Sequence, residues 1–428
     1  MSAAVRAQGR ALPARTRMAA GVGGLVGALS RRVGAGSGTV IGGRVTLALD
    51  RAALARLARD RPVGLVSGTN GKTTTTQLLT AALAAAGPAC TNIGGANLPP
   101  GLVAALSAAR DAPPSAPAAL EVDEAWLGAV VAATHPVVVA LLNLSRDQLD
   151  RVSEVRMLGA RWRAAMPDLD GAVVVANADD PIVAWAASAA RSVRWVAAGQ
   201  PWRADATGCP QCEGRIAYDG EDWACACGLR RPRPDVWLEE GGVAMADGRR
   251  IPVALQLPGR FNLGNAAVAA TAAAAMGVSE EKALAAMAST ADVFGRYQVV
   301  DVRGVRTRLL LAKNPAGWVG IFDLLVPAPA PVVVAINARI ADGRDPSWLW
   351  DVPFERLRGR RVVATGERSA DLAVRLRYAG VDHVRVSDVL DAVERAQAPE
   401  VDFVGNYTAF QDLRAGAPRT RMSRVPAA

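Results

Sequence analysis

Val63-Gly-Leu-Val-Ser67 runs straight into Gly68-Thr69-Asn70-Gly71-Lys72-Thr73-Thr74, and a helical stretch follows from Gln77 to Ala86. The succession reads as strand, glycine loop, helix. Successive backbone N–H groups of such a loop, with the helix N-terminus behind it, can cradle a polyphosphate, with Lys72 on its outer oxygens and Thr73 on Mg²⁺. The general phosphate-loop pattern places its first glycine where this chain has Val66; here Gly68 stands three residues before Gly71. Short glycine loops of this kind also occur as plain turns, but the strand before, the helix after and Lys-Thr-Thr in register favour a nucleotide. Residue choice points the same way. Of 49 basic side chains only Lys72, Lys282 and Lys313 are lysine, and where arginine is used almost everywhere a retained lysine marks a need for a compact ammonium. Lys282, in Ser279-Glu-Glu-Lys282, reads as an ordinary surface residue.

Outward from the loop, apolar runs at 118–122, 137–143 and 172–177 read as buried parallel strands separated by alanine-rich helices. Helical stretches at 262–275 and about 280–289 complete this unit, and the chain turns at Phe294-Gly295-Arg296. Beyond the turn, strands at 331–337, 361–366, 383–386 and 401–406 alternate with helices from Ser369 and Val389, which predicts a second, smaller Rossmann-like α/β domain over 296–428. A length of 428 residues with 51% hydrophobic content suits two or three domains and excludes disorder as the main state. No apolar run approaches a membrane span; the stretch Met18 to Ser30 is glycine-rich and closes on Arg31 and Arg32. Residues 1–45 therefore read as a basic N-terminal arm or short helix, suited to an anionic bilayer or polyanion, or equally a solvated tail. The net charge of +9 also asks for an anionic partner.

Four of the five cysteines cluster. Cys209-Pro-Gln-Cys212, twelve residues, then Cys225-Ala-Cys227-Gly228 is the paired spacing that presents four thiolates to one Zn²⁺, although the second pair is CxC. With all four positions filled by Cys, the zinc is structural, closing a ribbon inserted at about residues 203–232.

The set of motifs resembles the Mur ligases and their relative folylpolyglutamate synthase. Beyond the loop it comprises Glu121 in Leu120-Glu-Val-Asp-Glu124, Asn143-Leu-Ser-Arg-Asp147-Gln148-Leu-Asp150, Asn177-Ala-Asp179-Asp180, Gly259-Arg-Phe-Asn262-Leu-Gly-Asn265 and Gly295-Arg296. The resemblance implies a Mur ligase-type central ATP-binding domain over 46–295. In it Gly68 to Thr74 bind ATP, Glu121 holds Mg²⁺, Asn262 lies on the adenine side and Arg296 reaches the phosphates from the hinge. Two departures narrow it. About sixty residues precede the loop, too few for the UDP-binding domain of the nucleotide-linked ligases, and no lysine lies between Asn177 and the ribbon where those ligases keep a modified one.

The four-cysteine ribbon, Leu311-Ala-Lys313-Asn314-Pro315-Ala-Gly317, and Asn337 with Asp342-Gly-Arg-Asp345-Pro-Ser-Trp348-Leu-Trp-Asp351 resemble the MurT branch, the synthetase subunits of lipid II isoglutaminyl synthases. That branch implies ATP-dependent phosphorylation of the α-carboxylate of D-glutamate in the lipid II stem peptide, followed by displacement with ammonia. Releasing ammonia from glutamine requires a thiolate with a base. Cys90 reads as a buried inert thiol, and His135 and His383 as structural, so the glutaminase is expected on a partner, a GatD-type class I subunit. An aspartate of the synthetase is implied to complete the partner's Cys-His pair; Asp345 is preferred, with Asp351 and Asp342 as the other candidates. The expected place is the cytoplasm, peripheral at the inner membrane face where lipid II lies. The competing readings are a folylpolyglutamate synthase-like ligase and a zinc-ribbon nucleic-acid binder. The ribbon lacks the aromatic-basic interleaving of the latter, so no nucleic acid is expected.

Overall fold

The computed structural model describes residues 12–33, 39–92, 95–146, 155–290 and 297–416, to which the following statements refer. Two sheets organise the chain. The first contains β1 (Val63–Ser67), β2 (Cys90–Thr91), β3 (Ala118–Glu121), β4 (Val138–Leu141), β5 (Val173–Asn177) and β6 (Val193–Ala197). After a separate pair, β7 (Ile216–Asp219) and β8 (Asp222–Cys225), it is extended by β9 (Val236–Glu239), β10 (Gly242–Met245) and β11 (Arg250–Pro252). The spatial order is β11-β10-β9-β6-β5-β4-β1-β3-β2. Neighbours from β2 to β9 run parallel, and β10 and β11 turn antiparallel at the edge.

Both faces of this sheet are covered, which is why β1, β3 and β4 are buried at every position and, short of the polar ends Ser67 and Glu121, apolar rather than alternating. Leu65 and Leu120 point into one core, shared with the helix α5 (Pro99–Ala108) and Trp162. Val66 and Ala119 point into the other, with α4 (Lys72–Ala84) and the alanine-rich helix Arg260–Ala275. The second sheet joins β12 (Tyr297–Val302), β13 (Val305–Leu311), β14 (Val332–Ala335), β15 (Val362–Thr365), β16 (His383–Arg385) and β17 (Glu400–Gly405) in the order β12-β13-β17-β14-β15-β16. All but β12 run parallel. One of its cores is built around Trp318, stacked edge-on against Phe354 with ring centroids 5.0 Å apart.

Residues 14–32 and 39–49, which the sequence assigns largely to an arm, are helical: α1 (Ala14–Arg32) and α2 (Thr39–Leu49) pack against each other and on α5. Small residues allow it. A side chain at Gly23 would meet Thr46 Oγ1 at 2.1 Å, and one at Gly43 would meet the Pro100 carbonyl at 1.7 Å. Asp50, behind α2, accepts from Thr16 Oγ1 at 2.6 Å and is paired with Arg56 at 2.9 Å, tying the helix pair to the helix α3 (Ala53–Ala58).

Two braces fix the walls around β5. Asp180 is fully buried. Its Oδ1 accepts from the Ile182 and Val183 N–H groups and caps the helix Pro181–Ala187, while Oδ2 accepts from Leu144 N at 2.9 Å and Gln200 Nε2 at 3.1 Å. Burial pushes this carboxyl up to about 6 against the pull of those backbone donors. The ribbon supplies the other brace: Arg231, at its end, pairs with Asp179 at 2.6 Å, and Trp223 Nε1 donates to the Ala178 carbonyl.

Within the ribbon, the cysteine sulfurs all lie within 4.8 Å of one another, with Cys209 and Cys227 3.7 Å apart and Cys212 and Cys225 3.5 Å apart. Four thiolates bound at about 2.3 Å around a tetrahedral zinc would be separated by about 3.8 Å, so the donor set fits that ion.

Purified protein is expected to contain about one zinc per chain, and Cys209→Ser to lower the melting temperature far more than the specific activity of the folded fraction. Metal analysis with calorimetry checks both. For Asp180, the unfolded carboxyl titrates near 3.8, so the fold holds a proton that the unfolded chain lacks between that pH and about 6. Stability from this group therefore rises as pH falls from 7 through that window, and Asp180→Asn should flatten this dependence in urea titrations. Asp180→Ala, which leaves buried N–H groups unpaired, should destabilise by about 2 kcal/mol.

Candidate active site

The loop between β1 and α4 needs its glycines for two different reasons. Gly71 has φ +83°, and a side chain there would meet Asn265 Oδ1 at 2.6 Å. Gly68, at φ +147°, would put a Cβ 2.8 Å from that of Leu142. The backbone is thus squeezed against the end of β4 and the helix Arg260–Ala275, with no room for side chains where a polyphosphate would approach.

Amides and hydroxyls hold the loop in place. Asn143 Oδ1 accepts from Asn70 N at 2.9 Å, and Asn143 Nδ2 donates to the Asn70 carbonyl at 3.0 Å. Thr69 Oγ1 donates to the Ser145 carbonyl and accepts from Ser145 N, both at 3.0 Å. From the second domain, Asn314 Nδ2 donates to Asn70 Oδ1 at 3.2 Å, while Asn314 Oδ1 caps the helix Pro315–Phe322 through Gly317 N. Lys313, the second of the scarce lysines, immediately precedes it.

Lys72 is buried in the first turn of α4, where its ammonium donates to the Gly68 and Thr69 carbonyls and forms an ion pair with Glu124 Oε2 at 3.0 Å. Glu124 closes the quoted Leu120 to Glu124 motif but carries no role in the sequence reading. A second acid three residues after Glu121, just past a strand end, was the available signal. Glu121 itself is 2% exposed; its carboxylate accepts from Asn97 Nδ2 at 3.2 Å, and its backbone is fixed by Asn92 on both sides. In the sheet Glu121 pairs with Val66, one strand away from the loop, and the Thr73 hydroxyl begins α4. A carboxylate and a hydroxyl so placed are hard oxygen donors suited to Mg²⁺.

A cavity extends from the loop into the seam between the domains. Asn70, Gly71, Thr74, Asn143 and Ser145 form its polar end. Its far end is apolar and shared: Leu257, Phe261 and Val268 from one domain face Leu310, Ile321 and Leu324 from the other. Asn262 and Asn265 stand between; Asn262 Nδ2 donates to the Pro258 carbonyl at 2.7 Å, and Asn265 Nδ2 to Asn262 Oδ1 at 3.3 Å. A glycine loop at one end and an apolar slot at the other, joined by amides, offer the polarity that a nucleotide would need. Of the expected residues, Asn70, Gly71, Thr74 and Asn262 line this cavity, Gly68, Thr69, Lys72 and Thr73 belong to the same loop and first helical turn, and Glu121 lies on the neighbouring strand. Gly295 and Arg296, like Asp147, Gln148 and Asp150, lie outside the described residues.

The aspartates of the C-terminal motif are separated. Asp342 is 3% exposed and caps the helix Tyr407–Gly416 through Thr408, so it serves the fold. Asp351 faces back across the seam and pairs with Arg146 at 3.3 Å. Asp345 is exposed in the loop following Gly343, with Oδ1 accepting from Ser347 N at 2.9 Å.

Comparison with known proteins agrees with this architecture. The Mur ligase middle domain model matches residues 66–208, and the MurT ligase C-terminal model matches residues 311–410. The MurT subunit of the lipid II isoglutaminyl synthase of Streptococcus pneumoniae is 27% identical over 412 residues, covering 89% of this chain and 92% of that one. The corresponding subunit from Staphylococcus aureus strain N315 is also 27% identical, covering 91% of this chain and 93% of its own length. Among solved structures, a pseudomurein peptide ligase type C from Methanothermus fervidus has a TM-score of 0.64 at 20% identity, over 83% of this chain and 78% of that one, and shares the fold. Both domain models fall in the order and place of the two sheets just described, and the chain belongs to the Mur ligase family, in its MurT branch.

Proposed function

We propose that this chain is the ATP-using half of a glutamine-dependent amidotransferase that converts the α-carboxylate of D-glutamate in the lipid II stem peptide to the amide of D-isoglutamine. The observation that carries the reading is the similarity to the MurT subunits across nine-tenths of the chain, both domains included. Bound ATP with Mg²⁺ supplies the transferable phosphoryl group. The substrate carboxylate takes that group, giving an acyl phosphate and ADP. Ammonia then adds to the acyl carbon, the carbon–oxygen bond to phosphate breaks, and the nitrogen loses a proton to leave the amide and inorganic phosphate. Lys72 and the loop N–H groups would neutralise charge on the phosphoryl oxygens, and Arg296, which the family resemblance assigns to the phosphates, would add a second cation. Thr73 and Glu121 hold the metal, and Asn262 positions the base.

The source of ammonia lies elsewhere. Burial pushes the Cys90 thiol up, away from a thiolate, and the other four cysteines share one cluster. His383 Nδ1 lies 2.9 Å from the Val381 carbonyl, and His135 closes a helix at φ +44°. A GatD-type class I glutaminase therefore provides the nucleophile, with Asp345, exposed and clear of the cleft, orienting the partner's imidazole. The substrate's lipid carrier places the work at the inner membrane face.

Two experiments test the reading. Lys72→Ala should abolish nucleotide binding by calorimetry and also destabilise by about 3 kcal/mol, because Glu124 is left buried without its counter-charge. Adding Glu124→Gln should restore most of the stability and none of the binding, and near-normal ATP-dependent amidation by Lys72→Ala would overturn the assignment. Asp345→Asn in the complex should cripple amidation with glutamine and spare it with ammonium chloride. Loss of both activities would put Asp345 in the synthetase site, and loss of neither would remove it from the partner's triad.

A further inference from the structure

The helix pair α1 and α2 carries a surface that the reaction does not use. One side of α1 is consumed by packing, with Ala19, Ala20, Gly23 and Gly27 buried. On the opposite side Met18, Val22, Leu25 and Leu29, followed by Val33, are 38–74% exposed. Their spacing of four, three, four and four residues puts them on a single line along the helix. Such large apolar side chains aligned on open surface mark an interaction site.

Charge identifies the partner. Ten arginines and two aspartates fall within the first 60 residues, so eight of the chain's nine net positive charges lie there. One of those aspartates, Asp50, is buried and already neutralised by Arg56. Arg15, Arg17 and Arg32 on α1 and Arg44 on α2 are exposed. By helical spacing Arg15 and Arg32 border the apolar line, and Arg17 stands further round on the side of Arg32. A cationic border around an apolar line fits an interface that is anionic at its surface and hydrocarbon beneath. No helix among the described residues is long and apolar enough to cross a membrane, so this contact lies on the surface. Nucleic acid would answer the arginines but leave the apolar line unused.

We propose that the outer face of α1 docks on the anionic lipid surface of a membrane, with Met18, Val22, Leu25 and Leu29 entering the interface and the neighbouring arginines on the headgroups. The placement suits a lipid-linked substrate: the helix pair is stacked on α5, and the loop leading into α5 carries the Asn97 that holds Glu121. The inference rests on the helix and its charges, so vesicles free of lipid II test it apart from the reaction.

The full chain should co-sediment with vesicles of phosphatidylcholine plus phosphatidylglycerol, be released by high salt, and ignore vesicles of phosphatidylcholine alone. Leu25→Asp with Leu29→Asp should weaken binding at least about tenfold while leaving thermal unfolding unchanged, since neither side chain is part of a core. Arg17→Ser with Arg32→Ser should weaken it as well and flatten its salt dependence. Absence of binding to the anionic vesicles, or full binding by the leucine variant, would overturn the proposal. So would equal binding to duplex DNA in wild type and leucine variant, which would point to a polyanion. A dimer by sedimentation velocity that the leucine variant dissociates would assign the face to a second copy.

Discussion

The glycine loop lies between the last residue of β1 and the first of α4, outside the hydrogen-bond ladders of both. Its conformation has no ladder to hold it, so side chains do. Asn143 grips the Asn70 peptide on both its N–H and its carbonyl, and Thr69 and Ser145 exchange hydrogen bonds alongside. Both Asn143 and Ser145 sit at the end of β4, and the next link, Leu144, is fixed by the buried Asp180 at the start of the following helix. Three adjacent strand ends are thereby locked into one frame. The topology places them side by side, at the carboxyl ends of parallel strands where open α/β sheets put their ligands.

Much of this was legible in the sequence for physical reasons. Strands buried on both faces are unbroken apolar runs, so β1, β3, β4 and β5 stood out, and the loop announced itself through Lys72 in a chain that otherwise uses arginine. The cysteine ribbon was readable from spacing, because four ligands of one ion must come in close pairs. The antiparallel strands were not readable in the same way. In β12 and β13, Asp301, Arg306 and Arg308 interrupt the apolar pattern, and Arg308 is accommodated through Asp402 on β17, 94 residues away, and the Leu324 carbonyl. The helix pair α1 and α2 was hidden for the opposite reason: glycines at 23, 27, 42 and 43 resemble a loose arm until two helices are seen to need them for close approach. Pairings such as Lys72 with Glu124, or Asn70 with Asn314, join residues 52 and 244 positions apart, and no local pattern encodes them.

Division of labour between the domains follows from what each sheet offers. The first provides a rigid cradle, with charge brought in on short turns at strand ends. The second provides apolar side chains for the far wall of the cleft and, on its outer surface, the exposed loop of Asp345. The ribbon contributes at a distance: Arg231 holds Asp179, and Asp179 Oδ2 accepts from the N–H of Gly199, which lines the cleft. The end of the ribbon and the wall of the cleft are therefore joined by hydrogen bonds through Asp179.

A cleft whose two walls belong to different domains has a thermodynamic property that a pocket inside one domain lacks. A nucleotide in this cleft would meet Leu310, Ile321 and Leu324 only with their domain seated against Phe261 and Asn70. Free energy of seating and free energy of binding are then coupled, and the coupling is reciprocal. Any protein that grips the second domain more tightly in the seated position must raise the affinity for nucleotide, and nucleotide must raise the affinity for that protein by the same factor. On the proposed function, two half-reactions carried by separate chains would in this way be kept in step through the seating of one domain.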